Sequence, residues 1–363
     1  MFKDIYAGKK IFLTGHTGFK GSWLAFWLTQ LGAEVTGYSL APETEPNHFG
    51  VLNIPMRSII GDVRDADKLG QAVRACRPDL VFHLAAQPLV RRSYREPVAT
   101  FAANVMGVVN LFEACRGGDS VQAIVNITSD KCYENREWLW GYRENDPMGG
   151  HDPYSASKGC SELITASWRN SFFPPARFGK THHTLLASAR AGNVIGGGDW
   201  SEDRLIPDII RAIAANEAVT IRSPQATRPW QHVLEPISGY LLLGQKLLEG
   251  DSSFAEGWNF GPAEEGSITV GEVVSRVKSC WDRFEYVLKP DPHQPHEAGL
   301  LKLDCSKARA RLHWQPVWES GATFAKTINW YRGFYEERRV LTADDLTAYL
   351  DQAKAKNIGW AKD

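Results

Sequence analysis

The chain has 363 residues, 43% of them hydrophobic, which is enough apolar material for two packed units of on the order of 100–200 residues each. Its 41 lysines and arginines against 42 aspartates and glutamates leave a formal charge of −1. That balance offers no broad field for a nucleic acid and no basic face for a membrane, so neither is expected as a partner.

The charged N-terminus is followed by only a short apolar run, Ile11-Phe12-Leu13, too brief for a secretory signal. No stretch reads as approaching the ~20 apolar residues of a membrane span. Lys10–Thr14 reads as a buried strand, and residues 22–31, carrying Trp23, Leu24, Phe26, Trp27, Leu28 and Leu31, as a buried helix. Residues 34–38, 79–86 and 121–128 read as further buried strands, with an amphipathic helical stretch at 98–115 between the last two. Strands alternating with helices call for an α/β fold, a Rossmann-type doubly wound parallel sheet. From about Asn193 the texture changes to longer loops and prolines at 207, 224, 229 and 236, with helical stretches at 206–215 and 237–248. A last helix is expected at 342–354, capped by the Thr342 hydroxyl and presenting Leu346 and Leu350 on one face. The division expected is a first domain over 1–190, to which 231–262 return, and a smaller, interleaved C-terminal domain over 191–363. Cys76, Cys115, Cys132, Cys160, Cys280 and Cys305 are scattered without a CxxC pair and read as reduced thiols of a cytoplasmic protein.

Between the first strand and the first helix, Gly15, Gly18 and Gly21 fall in the spacing G-x-x-G-x-x-G. The first glycine permits a tight turn, the second lets backbone approach a pyrophosphate, and the third lets helix and strand pack closely. The phosphates would meet the free N–H groups of the helix N-terminus, so a dinucleotide cofactor is expected. The end of the second strand, Tyr38-Ser39-Leu40-Ala41, has neither the acid that holds a ribose 2′-hydroxyl nor an arginine for a 2′-phosphate, which leaves NAD and NADP both open. Asp62-Val63, after the third strand, is placed to meet the adenine, or is an ordinary turn.

Tyr154 and Lys158 stand four apart at the start of a helical stretch, hence on one face. A phenol titrates near pH 10, too high for a base at neutral pH, but a neighbouring ammonium and a positive nicotinamide favour the phenolate. Such a pair is common by chance on solvated helix faces. Its position after a dinucleotide loop and five strands in order is what makes it functional.

With Leu84-Ala85-Ala86 after the fourth strand and Asn104 in the next helix, these motifs resemble the extended short-chain dehydrogenase/reductase family over nearly the whole chain. The resemblance implies NAD held by Gly15, Thr17, Gly18, Phe19, Gly21, Asp62, Val63, Leu84, Ala85, Ala86, Asn104, Tyr154 and Lys158, and a nucleotide sugar held by the C-terminal domain. It also implies a homodimer that pairs the helix near 98–115 with the one after Tyr154. Epimerases of the family carry a Ser/Thr-rich fifth-strand end, whereas its dehydratases carry Thr-Asp-Glu there. This chain has Ser129-Asp130-Lys131, similar to the dehydratase branch, and the glycine loop with Arg190-Ala191-Gly192-Asn193 implies CDP-D-glucose as substrate, on the way to deoxysugars of surface polysaccharide such as O-antigen.

The roles so implied are Tyr154 as base at O4, Ser129 as its hydrogen-bonding neighbour, Lys158 as orienter of ribose and phenol, and Asp130 as acid for the departing C6 hydroxyl. Lys131 stands where sister dehydratases have glutamate. Either a neutral Lys131 takes the C5 proton, or a charged one stabilises the enolate while another group moves it. Gln87, Ser129, Asn193, Arg204 and Arg228 are expected at the substrate, the arginines because their planar fork suits phosphate oxygens. Trp230 and His232 are expected to flank the base and Glu297 to take a ribose hydroxyl. No His/Cys/Asp cluster has ligand spacing, so no metal is expected. The rival readings are another nucleotide-sugar 4,6-dehydratase, a 4-epimerase, or a catalytically silent dinucleotide-binding regulator, which usually lacks the tyrosine or the lysine.

Overall fold

Strand residues that alternate in side-chain direction bury two faces at once, and helices cover both. In the computed structural model, which describes residues 1–221, 224, 227–262, 267–288 and 300–362, the first half runs β1 (Lys10–Thr14), α1 (Phe19–Gln30), β2 (Glu34–Ser39), α2 (His48–Leu52), β3 (Arg57–Ile60), α3 (Ala66–Cys76), β4 (Leu80–His83), α4 (Val90–Arg95), α5 (Pro97–Phe101), α6 (Gly107–Arg116), β5 (Ala123–Ile127), α7 (Pro153–Ser171) and β6 (Leu185–Ala191). The second half continues with β7 (Asn193–Ile195), α8 (Leu205–Ala215), β8 (Val219–Ile221), β9 (Thr227–His232), α9 (Leu234–Leu248), β10 (Gly257–Phe260), β11 (Ser267–Thr269), α10 (Val270–Cys280), β12 (Tyr286–Leu288), α11 (Ser320–Glu336) and α12 (Thr342–Ala355).

Seven parallel strands form one sheet in the order β10-β6-β5-β4-β1-β2-β3. Phe12, Val81, Ile124 and Leu186 face α3, α6 and α7 in one core, while Ile11, Leu13, Phe82 and Val125 face Trp23, Trp27 and Leu241 of α1 and α9 in the other. The strand order reverses between β1 and β4, and the crevice outside their carboxyl ends is where ligands bind in such sheets. β10 comes from the second half yet pairs with β6 from Gly257↔Ser188 to Phe260↔Ala191. Two small sheets, β11-β9-β7 and β12-β8, lie outside the main one.

Three local expectations change. Helix α1 starts at Phe19, three residues before the apolar run, because extended Gly18 caps it. The strand expected at 79–86 spans only Leu80–His83, and Leu84 and Ala85 turn away, their amides donating to Thr14 Oγ1 at 3.1 and 3.2 Å. Thr342 lies inside α12, with Leu341 at the cap position. Its hydroxyl accepts from Trp330 Nε1 at 3.0 Å and meets His48 Nε2 at 2.8 Å, because buried ring nitrogens compete for it more strongly than the helix start does.

The stretch Pro97–Arg116 is, on length and composition, apolar enough to cross a membrane, contrary to the sequence reading. Here it packs along α7, and 39% of its most apolar window is buried.

Candidate active site

The cofactor cradle forms at the carboxyl end of β1. Gly15 has φ +78°, and a Cβ there would fall 2.7 Å from the Ala85 amide nitrogen. A Cβ at Gly21 would fall 2.0 Å from the Gly15 carbonyl oxygen, so the helix can approach the turn only as glycine. Gly18 is exposed, offers no side-chain cap to α1, and is followed by a first turn without an acid. The helix N-terminus therefore keeps its amide dipoles for an anion, and the cradle fits a dinucleotide pyrophosphate. Thr17 bonds Ser39 Oγ at 2.8 Å and the Leu40 carbonyl at 2.9 Å, tying the loop to the end of β2. Half-buried Phe19 lies against the Gly196 turn.

Val63 is buried against Gly107, and the Asp62 carboxylate is taken by Arg64. Asn104 sits in a π-helical turn, Ala102–Met106, between α5 and α6. That turn lets its amide donate both to the Gln87 carbonyl at 3.0 Å and to Ser157 Oγ at 2.9 Å, while its oxygen accepts from the Gln87 amide at 2.8 Å. Extra turns of this kind recur at functional sites. Here the turn couples the segment after β4, with half-buried Leu84, Ala85, Ala86 and Gln87, to α7.

Helix α7 opens on Pro153 and is capped by Asp152, whose carboxylate accepts from the Ser155 amide at 2.9 Å. The Tyr154 amide donates to Ser93 Oγ at 3.1 Å, which anchors the tyrosine to α4. Burial pushes the Tyr154 phenol up to about 12, a hydrogen bond with Ser129 and the Arg204 charge pull against it, and Asp130 and Asp152 add to the rise. Lys158 is buried and pushed down to about 8, and the Glu162 carboxylate one turn on opposes that. Ser129 Oγ donates to Asp130 Oδ1 at 3.0 Å. Burial raises the Asp130 pKa, opposed by Lys131, Ser129 and Arg228. A buried phenol, a buried hydroxyl and a buried carboxyl disposed to hold a proton thus stand together, flanked by half-buried Lys131.

Several groups at this site carry no local sequence signal. Gly192 is one: a Cβ there would fall 2.9 Å from Asp130 Oδ2, so the glycine makes room for the acid. Glu162 is another, receiving Thr128 Oγ1, Ser188 Oγ at 2.7 Å and Arg190 Nη2 at 2.8 Å, all buried. Arg190 also donates to the Tyr133 hydroxyl at 2.5 Å. Together they lock the end of β5, strand β6 and helix α7 into one block. Lys20 and Tyr240 are the others, reaching the site from the opposite face of the sheet.

On the substrate side, half-buried Arg204 stands at the cap position of α8, 3.2 Å from Asp199, and its charge reaches Tyr154 and Lys20. Half-buried Arg228 lies on β9 within electrostatic reach of Asp130, and half-buried Asn193 opens β7 beside it. Trp230 is 7% exposed and packs edge-on against Phe324. His232, expected beside a base, is instead sealed at 0% exposure, with Trp318 at 4.7 Å and Trp23 at 5.8 Å between ring centroids. Burial pushes its imidazole down to about 3, so it is a neutral core ring packed among aromatics. Glu297 lies outside the described residues. Among the described residues no group of three His, Cys, Asp or Glu is placed to hold a metal ion.

The family model described as GDP-mannose 4,6 dehydratase matches residues 12–327. A CDP-glucose 4,6-dehydratase of Salmonella typhimurium is 51% identical over 353 residues, covering 96% of this chain and 98% of that one. A dTDP-glucose 4,6-dehydratase of Streptomyces antibioticus is 27% identical over 335 residues, with 89% and 92% covered. Among solved structures, an epimerase of Methanothermobacter thermautotrophicus superposes with a TM-score of 0.80 at 23% identity, covering 93% of this chain and 96% of that one. A dTDP-glucose 4,6-dehydratase of Streptomyces venezuelae, crystallised with NAD, superposes at 0.73 and 22% identity, covering 91% and 99%. At such identities the structural likeness speaks for the fold.

Proposed function

The chain belongs to the GDP-mannose 4,6 dehydratase family, within the extended short-chain dehydrogenases/reductases, and from that premise we propose that it is an NAD-dependent lyase converting CDP-D-glucose to CDP-4-dehydro-6-deoxy-D-glucose. The observation that carries the reading is the buried Ser129-Asp130 pair beside Tyr154, which adds an acid for elimination to the oxidation couple. A 4-epimerase needs no such acid. The 51% relative supports cytidine as the base.

Bound NAD supplies the hydride acceptor for C4 and returns the hydride at C6. Tyr154 takes the proton of the C4 hydroxyl, its phenolate favoured by Ser129, Arg204 and, across one helical turn, Lys158. The ketone so formed acidifies C5–H. Asp130, whose protonated form burial favours, gives its proton to the C6 hydroxyl, which leaves as water as the C5 proton is lost. Lys131 either takes that C5 proton as a neutral amine or, charged, stabilises the enolate. C5 is reprotonated when hydride arrives at C6, so nothing external is consumed. Arg204, Arg228 and Asn193 hold the diphosphate. Residues 1–190 with 231–262 hold the cofactor, and the remainder holds the sugar nucleotide.

The decisive experiment incubates the protein and NAD with CDP-, dTDP-, UDP- and GDP-linked hexoses, following the alkaline absorbance of 4-keto sugars and the loss of one water by mass. Ketone from CDP-D-glucose alone is expected. Ketone from another nucleotide alone overturns the cytidine assignment, and epimerised sugar without loss of water overturns the dehydratase. Deuterium incorporation at C5 of pre-formed 4-keto sugar by Lys131→Ala assigns the base: undiminished exchange removes Lys131 from that role. A homodimer through the α5–α6 stretch and α7 is supported by Val98, Met106 and Leu163, exposed at 83, 51 and 60% on neighbouring helices. A cytoplasmic setting is supported by six free thiols.

A further inference from the structure

The loop between β7 and α8 is held from three sides. Trp23 Nε1 on α1 donates to the Gly197 carbonyl at 2.9 Å. On α11, Trp330 packs so close that a Cβ at Gly197 would fall 2.0 Å from its ring, so only glycine fits there. One turn position on, Asp199 is buried. The Tyr331 hydroxyl, also on α11, accepts from the Asp199 amide at 2.9 Å and donates to the Asp199 carbonyl at 2.6 Å. Arg211 on α8 donates to the Trp200 and Ser201 carbonyls at 2.7 and 2.9 Å. Helices from both halves of the chain thus fix the Asp199 backbone.

The carboxylate so placed is divided between two tasks. Its Oδ1 accepts from the Ser201 amide at 3.0 Å and the Ser201 hydroxyl at 2.6 Å, which fixes the rotamer. Its Oδ2 accepts from Arg204 Nη1 at 3.2 Å. The Arg204 side chain is the more open partner, 35% exposed against 5% for Asp199, and its charge reaches the Tyr154 phenol. A long, partly exposed arginine loses rotamer freedom when a ligand fixes it. An acid that already holds one nitrogen of the planar fork removes part of that loss and leaves the remaining donors for phosphate oxygens. An ion pair between two exposed groups would do little of this. Here the acid is buried and bonded on both oxygens.

We propose that Asp199 is a positioning residue of the sugar-nucleotide site, one that pre-orients Arg204 for the diphosphate. The inference rests on the reading of Arg204 as a diphosphate ligand and goes beyond it, since Asp199 acts only through Arg204. Its effect is therefore confined to ligands that carry the diphosphate. A nucleoside, which makes no demand on Arg204, is indifferent to it. The same ion pair keeps the Arg204 charge within reach of Tyr154, so one carboxylate serves both the grip on the substrate and the field at the phenol.

The test is calorimetric binding of CDP and cytidine to the NAD-loaded protein, with dTDP and thymidine, and UDP and uridine, measured alongside. The readout is the ratio of diphosphate to nucleoside affinity. A wrong base assignment shows in the wild type as tighter binding of another pair, and leaves the ratio usable. Asp199→Asn is expected to lower the ratio on the order of tenfold while nucleoside affinity is kept. Arg204→Met is expected to lower it at least as far. In the double variant the Asp199→Asn loss is expected to vanish, because no guanidinium is left to orient. An unchanged ratio in Asp199→Asn, or losses that add in the double variant, would overturn the proposal and leave Arg204 a ligand. Equal weakening of CDP and cytidine in Asp199→Asn would make Asp199 a general support of the loop and overturn it as well. An unchanged ratio in Arg204→Met would overturn the reading of Arg204 and the proposal with it. If Asp199→Asn does not fold, Tyr331→Phe, which removes the hydroxyl bonded to the Asp199 backbone, is expected to show the same diphosphate-specific loss. A Tyr331→Phe loss that persists without Arg204 would overturn the proposal.

Discussion

Tyr154, Ser129 and Asp130 stand together, all buried, where burial raises the pKa of both the phenol and the carboxyl and the Ser129 hydroxyl and nearby cations oppose the rise. Asp130 is the clearest case, since burial favours its protonated form while Lys131 and Arg228 draw it the other way. Asp130→Asn keeps the shape and loses the transferable proton. Steady-state turnover is expected to fall by about two to four orders of magnitude, as for loss of an acid catalyst. Oxidation at C4 is expected to persist, visible as cofactor reduced under single-turnover conditions. In the proposed mechanism a charged Lys158 favours the phenolate, and burial holds it down to about 8, with Glu162 opposing the fall. Activity is therefore expected to decline as pH rises through about 8. In Glu162→Gln the supporting charge is gone, so the alkaline limb of the kcat–pH profile moves to lower pH. Tyr154, Lys158, Ser129 and Asp130 were legible because each pair is adjacent or one turn apart in the chain. Lys20, Tyr240, Glu162 and Gly192 were not, because only the fold brings them to the site from α1, α9, the third turn of α7 and the end of β6. His232 misled because a polar residue in a strand draws attention, whereas here its ring edges fill a gap between indoles.

At the scale of elements, strands and helices in the first half could be read from runs of apolar residues punctuated by glycine. What escaped was how they end. The π-helical turn around Asn104 and the internal position of Thr342 are decided by partners distant in sequence, and no local propensity encodes them. The segment before α11 is fixed to α9 in the same way. The Glu235 carboxylate accepts from the Val317 amide at 2.9 Å, the Trp318 amide at 2.7 Å and the Tyr349 hydroxyl at 2.8 Å, all buried. Burial pushes its pKa up to about 7, opposed by those hydrogen bonds. The folded state thus holds this proton more tightly than the unfolded one. Its contribution to stability is full below the ordinary value of 4.5 and is lost as pH rises to about 7, an effect of roughly 3 kcal/mol. In Glu235→Gln, thermal melts across that range are expected to lose this downward slope, and an unchanged slope would assign it to another group.

For the whole molecule, an apolar strip lies along α5, α6 and α7, with Val98, Phe101, Met106 and Leu163 exposed in a chain of nearly balanced charge. A double variant, Val98→Glu with Leu163→Glu, is expected to sediment as a monomer and to retain its melting temperature within a few degrees. The wild type is expected to sediment as a dimer. Parallel α/β architecture was readable from the alternation of elements. The pairing of β10 with β6, across the intervening β7, α8, β8, β9 and α9, is a matter of tertiary complementarity with no signature at either strand.

That pairing has a temporal side. Strand β6, Leu185–Ala191, is wholly buried and finds its outer neighbour only at Gly257–Phe260. On a ribosome the nucleotide-binding crevice can be laid down early, yet its sheet keeps a bare, uncharged-looking margin, broken only by Arg190, until β10 has emerged. Such a margin is a template for pairing with any other extended chain. Tyr6 donates to the Leu241 carbonyl at 2.5 Å and Lys3 pairs with Glu249, so even the first residues wait for α9. The nascent sheet thus keeps an adhesive edge while residues 192–256 are being made, and how quickly β10 follows sets how long that edge stays open.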